Sequence, residues 1–131
     1  MEEFRVIINE GEKRKSVEEF FGLLRFFTSN ANKELFLHAL QCYAVQKGHG
    51  FVEGYSMVFP VKTEKQENYG DDKIQICLTQ PAVDRAVITP LTYEEFYPML
   101  CEECEKYLEE RPEDRQQVQE LLARIKVALN V

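Results

Sequence analysis

A chain of 131 residues, 44% of them apolar, has the size of one domain and can bury enough surface to fold without disulfides or metal. Its 16 Lys and Arg stand against 23 Asp and Glu, and the net charge of −7 excludes a nonspecific nucleic-acid binder, which needs a basic stripe to displace phosphate counterions. Acidity is left with two meanings: solubility, or a basic protein partner. The start, MEEFRVIINEGEKRKS, lacks the apolar core of a signal peptide, and no apolar run approaches the ~20 residues that span a bilayer. A cytoplasmic protein with four free thiols and no membrane association is therefore expected.

In chain order, Phe4 to Ile8 is short, apolar and β-branched, fitting an edge strand or a stretch laid against the first helix. Asn9 to Lys15 reads as a polar turn. Ser16 and Glu19 then form a capping box and open a helix through Val17, Phe20, Phe21, Leu24 and Phe27, an aromatic stripe expected to be core. Thr28, Ser29 and Asn30 break it. Ala31 to Lys47 makes a second helix through Leu35, Phe36, Ala39, Leu40 and Tyr43, packed on the first, and Gly48 and Gly50 around His49 end it.

From Phe51 to Val61 the period changes to a strand of mixed pattern, closed by Pro60. Lys62 to Lys73 is a polar loop, Ile74 to Leu78 a second strand, and Ala86 to Ile88 a third, with Pro90 as terminator. Thr92 and Glu95 form a second capping box, and Phe96, Leu100, Cys104, Tyr107 and Leu108 recur at helical spacing behind it. Pro98 predicts a kink there, or a later start, because it removes a backbone donor. Pro112 suits the first position of a last helix, whose stripe is Val118, Leu121, Leu122, Ile125 and Leu129. The expected architecture is α+β, one domain over residues 1–131: two N-terminal helices, a small antiparallel β-meander and a C-terminal helical hairpin.

Three groups of residues invite a chemical reading. Cys101 and Cys104 have CxxC spacing but lie turns into a helix among glutamates, where a thiolate is disfavoured. A zinc site would need Cys42, Cys77, His38 or His49 as further ligands, and none forms a second ligand pair. His49 between glycines has no nucleophile in a strained turn and no phosphate-cradling loop beside it. No catalytic, metal or cofactor assignment follows, although a small thiol- or metal-dependent enzyme centred on Cys101, Cys104 and His49 stays open as an alternative.

Charge is the more informative feature. Thr92 to Glu120 holds ten acids against Lys106, Arg111 and Arg115, a local balance of −7 that equals the whole chain's. Such a field speeds encounter with a basic protein and is also what an ordinary solvated helix face carries. A second cluster, Glu64, Glu67, Asp71 and Asp72, interleaves with Tyr69, which can supply buried contact area beside carboxylates.

The run of Val17-Glu-Glu-Phe-Phe, a second helix entering Gly48-His-Gly-Phe51, Val58-Phe-Pro60, an acidic loop with Tyr69-Gly-Asp71, Thr92-Tyr-Glu-Glu-Phe96, and Tyr107 before Arg111-Pro-Glu-Asp114 resembles a bacterial family. These are the immunity proteins that neutralise ribonuclease toxins of contact-dependent growth inhibition (CDI) and related polymorphic toxin systems. The resemblance spans roughly Ser16 to Leu129. It implies a non-enzymatic cytoplasmic protein, without cofactor, that binds a cognate toxin nuclease domain and covers its active site or RNA-binding surface. On that reading the expected toxin-binding residues are Glu53, Tyr55, Glu64, Glu67, Tyr69, Asp71 and Asp72, and Glu102, Glu103, Glu105 and Glu109 form the competing patch. A regulatory or adaptor module, binding through an aromatic groove between the first two helices, is the other alternative.

Overall fold

The computed structural model describes residues 4–60, 73–80, 83 and 85–131. Their order is β1 (Phe4–Val6), α1 (Glu10–Asn30), α2 (Leu35–Ala44), β2 (His49–Val52), β3 (Tyr55–Val58), β4 (Ile74–Leu78), β5 (Ala86–Leu91), α3 (Tyr93–Glu110), a 3-10 turn (Pro112–Asp114) and α4 (Arg115–Leu129). The α+β reading holds, with the C-terminal hairpin where it was expected. The sheet is larger than a meander: five strands in the order β1-β5-β4-β3-β2, antiparallel except for β1, which pairs parallel to β5.

Met57, Ile76 and Thr89 lie side by side in the register, and Ile74 pairs with Leu91; all five are buried, so they mark the face that meets the helices. Against them pack Phe20, Phe21 and Leu24 of α1, Phe36, Leu40 and Tyr43 of α2, Phe96 and Leu100 of α3, and Val118 and Ile125 of α4. Phe36 and Tyr107 stack with centroids 4.2 Å apart and planes within 5°, joining α2 to α3. The adjacent α1–α2 seam is filled by Phe21, Phe36 and Tyr43, all fully buried.

Several boundaries differ from the sequence reading. Helix α1 starts at Glu10, not Ser16: Asn9 caps it, its Oδ1 accepting from Glu12 N at 3.2 Å, and Glu10 and Glu12 suit the positive end of the helix dipole. Ser16 is an interior residue facing β5, where its hydroxyl accepts from Thr89 Oγ1 at 3.1 Å. Thr28 and Asn30 do not break the helix, because their side chains donate back to the carbonyls of Leu24 and Phe26. Helix α2 begins at Leu35 and ends at Ala44, and the left-handed residue after it is Gln46 (φ 54°) rather than a glycine. Gln46 is held there from outside its helix by a 2.7 Å bond from its Nε2 to the Ala128 carbonyl. Gly48 has a different duty: a Cβ there would sit 2.4 Å from the Met57 carbonyl oxygen.

The mixed pattern of Phe51 to Val61 resolves into a hairpin. The chain turns at Glu53 and Gly54 (φ 92°), and a register shift between Gly50 and Val52 changes the phase of the alternation. Pro90 does not terminate β5, which runs on to Leu91. The Ile88 carbonyl faces β1, accepting from Ile7 N at 2.9 Å. Two residues on, the Pro90 nitrogen faces the same side, beyond the end of β1, so no ladder bond is lost. Helix α3 starts at Tyr93 directly behind the expected capping box and runs unbroken through Pro98. Glu94 and Pro98 are both exposed, which puts the missing i to i−4 bond on the solvent side, where water can serve the freed carbonyl.

Candidate functional site

The expected interface residues fall into two groups. Glu53 is exposed in the β2–β3 turn and Tyr55, half-buried, opens β3; Thr79 N donates to the Gly54 carbonyl at 2.8 Å and ties this turn to the end of β4. Glu64, Glu67, Tyr69, Asp71 and Asp72 lie outside the described residues. The residues flanking that segment, Pro60 and Lys73, adjoin the Val58–Gln75 end of the β3–β4 ladder, whereas Tyr55 pairs with Leu78 at the other end. Three residues of strand, roughly 10 Å, separate the two ends. Glu53 and Tyr55 are thus not neighbours of the point where the acidic segment leaves the sheet.

The competing helix face carries less free charge than its residue count. Glu103 is only 1% exposed, paired with Arg25 of α1 and with Lys106 at 3.0 Å. Glu102 pairs with Arg14 at 2.7 Å, and Glu105 with Arg115 at 3.4 Å. Glu95 faces Lys13 at 3.3 Å, and Asp114 accepts from the Tyr107 hydroxyl at 2.6 Å. Among the described residues, Glu53, Glu94, Glu109, Glu110 and Glu113 make no ion pair. The helix repeat explains the difference. Glu102 and Glu103 are adjacent in sequence but about 100° apart around α3, so Glu102 meets Arg14 of α1 at the exposed rim and Glu103 is buried against Arg25 of the same helix.

The thiols and His49 are set for packing rather than proton transfer. Burial pushes the Cys104 thiol well above its usual range, and burial likewise raises Cys101. His49 sits among Phe20, Tyr43 and Phe51, and its Nε2 is 2.7 Å from the Tyr43 hydroxyl. Burial, with a smaller contribution from His38, lowers its pKa to about 4, so the ring is neutral at neutral pH. Among the described residues no three His, Cys, Asp or Glu side chains converge on a point that could hold a metal ion. No helix among them is long and apolar enough to cross a membrane.

A feature that the sequence reading missed is a row of rings at the surface. Phe26 lies two residues past the buried Leu24, about 200° around α1 from it, and so turns away from the core. It is 54% exposed, and Phe27, Phe51 and Tyr55 are half-buried. Successive centroids lie 5.5 Å apart for Phe26–Phe27, 6.1 Å for Phe27–Phe51 and 6.3 Å for Phe51–Tyr55. Phe27, expected in the core stripe, lies instead at the core's margin, where the C-terminal half of α1 passes β2. The exposed Phe26 next to it is the one sequence signal: an aromatic residue outside the stripe.

Comparison with curated proteins returned no match. A family model described as "CDI immunity protein" matches residues 13–122. The match takes in strands β2 to β5, helices α2 and α3, most of α1 and about half of α4, that is, most of the helical layer with the sheet face that supports it. On the strength of that span, the chain belongs to the CDI immunity protein family.

Proposed function

We propose that the toxin neutralised by this immunity protein is a ribonuclease, and that inhibition occurs in the cytoplasm by covering the toxin's active site or its RNA-binding surface. The observation that carries this reading is the acid surplus of a family member whose partner must be a protein: a net charge of −7 matches the basic surface that a ribonuclease presents to RNA. Complementary charge speeds encounter and fixes orientation, and carboxylates at the interface would take the places of RNA phosphates. The proposed contact residues are Glu53, Tyr55, Glu64, Glu67, Tyr69, Asp71 and Asp72. Acting as an inhibitor, the protein performs no reaction of its own.

The test is to express the C-terminal domain of the toxin gene product encoded immediately upstream, with and without this protein, and to follow growth and the integrity of cellular RNA. Rescue of growth together with intact RNA, and a complex that weakens with salt, are expected. Arrest that persists with no complex formed would overturn the pairing, and arrest without RNA cleavage would overturn the ribonuclease assignment.

A further inference from the structure

Among the described residues, nothing covers the outer end of the row of rings. Arg25, the cation nearest Phe26 in sequence, is committed to an ion pair with the buried Glu103, and the Phe26 ring stays exposed. Glu110 of α3 borders the same surface depression as Gly22, Arg25, Phe26 and Asn30, and Glu53 stands in the turn beside Tyr55 at the other end of the row. Neither carboxylate makes an ion pair among the described residues. An apolar stripe is thereby bounded at each end by a free negative charge. A guanidinium is the group that fits both parts, because it stacks on aromatic faces and pairs with carboxylates.

We infer that Phe26, Phe27, Phe51 and Tyr55, bordered by Glu110 and Glu53, form a docking surface for the toxin domain, seating arginine or lysine side chains of its RNA-binding face. The inference rests on the reading of the toxin as a basic, RNA-binding protein, and it extends the proposed interface from Tyr55 across to α1. Aromatic anchors with charged borders are the usual centre of a tight interface, where a few side chains carry most of the affinity. The row also has a rigid base: Phe51 is braced by Phe20 at 5.2 Å, and Phe20 is fully buried.

The full chain and its Phe26→Ala and Glu110→Lys variants should be titrated against the catalytically inactivated upstream toxin domain at low and high salt. Thermal melts of each variant check folding, and sedimentation checks self-association. Because Phe26 and Glu110 are exposed, both variants should melt like the wild type. Phe26→Ala is expected to weaken binding at least tenfold at both salt concentrations. Glu110→Lys is expected to weaken it mainly at low salt. Folded variants that bind like a protective wild type would overturn the docking surface and leave the immunity function standing. Loss of self-association in Phe26→Ala with toxin binding retained would overturn it too, and assign the row to a second copy of the chain. A toxin domain that cleaves no RNA, yet still depends on Phe26 for binding, would overturn the ribonuclease assignment and the RNA-binding face as the seated group, while supporting the row as a toxin-docking surface.

Discussion

Tyr43 and His49 meet at the margin of the core through a 2.7 Å contact between the tyrosine hydroxyl and His49 Nε2, and this contact joins helix α2 to the edge strand β2. Burial holds the Tyr43 phenol well above its usual pKa and lowers His49 to about 4, so at neutral pH the contact is a hydrogen bond between two uncharged groups.

Stability should therefore depend on pH in a defined window. The unfolded histidine titrates near 6.5 and the folded one at about 4, so between these values the unfolded chain binds the extra proton. The contribution is complete above roughly pH 6.5 and is lost as pH falls through about 4, amounting to at most about 3 kcal/mol. Urea unfolding from pH 7 to 4.5 should show it, and His49→Gln should flatten the profile. An equally steep profile in that variant would assign the dependence to other groups.

Glu103 is a buried ionisable group of another kind, and its partners Arg25 and Lys106 are themselves 20% and 42% exposed. Glu103→Ala would leave Arg25 facing a pocket without its counter-charge. The expected loss is about 2 kcal/mol, between the values for exposed and fully buried pairs. Combining it with Arg25→Met should recover part of that loss, which chemical denaturation of the two single variants and the double variant would measure.

Gly48→Ala is expected to destabilise by about 1–3 kcal/mol, because the new methyl group would meet the Met57 carbonyl, a backbone atom fixed in the β2–β3 ladder. Gly22→Ala serves as a control. Its Cβ would meet only the end of the Arg25 side chain at 3.7 Å, so a gain in helix propensity should leave that variant as stable as the wild type or slightly more so. Comparable losses at both glycines would argue against the close approach as the cause.

Charge reversal at Asp71 and Asp72 should slow association with the toxin domain and reduce its salt dependence. The same change at Glu102 should have a smaller effect, since Arg14 already faces that carboxylate. Stopped-flow association rates at several ionic strengths would separate the two. A larger effect at Glu102 would move the interface onto the helices.

The capping box at Thr92 and Glu95 was legible because all its partners lie within four residues, and the apolar stripe of α4 because helical spacing alone defines a face. The start of α1 was not. Ser16 has the local pattern of a cap, yet Asn9 caps the helix and the Ser16 hydroxyl is taken up by Thr89, more than seventy residues away. The parallel pairing of β1 with β5 has the same origin, since no local pattern specifies a partner at that separation. On the candidate surface, sequence supplied the acids but not their state: Glu102 and Glu103 are chemically identical neighbours, and only packing makes one a surface group and the other a buried anchor.

By itself, then, the sequence determined the α+β class, the helical hairpin and the acidic balance, which rest on composition or short-range spacing, and it carried the motifs on which the family resemblance rests. Tertiary structure alone decided which carboxylates are free and which aromatic rings stay at the surface. Both depend on contacts between distant segments, where a turn of about 100° around a helix or one shifted residue in a hairpin exchanges core for solvent.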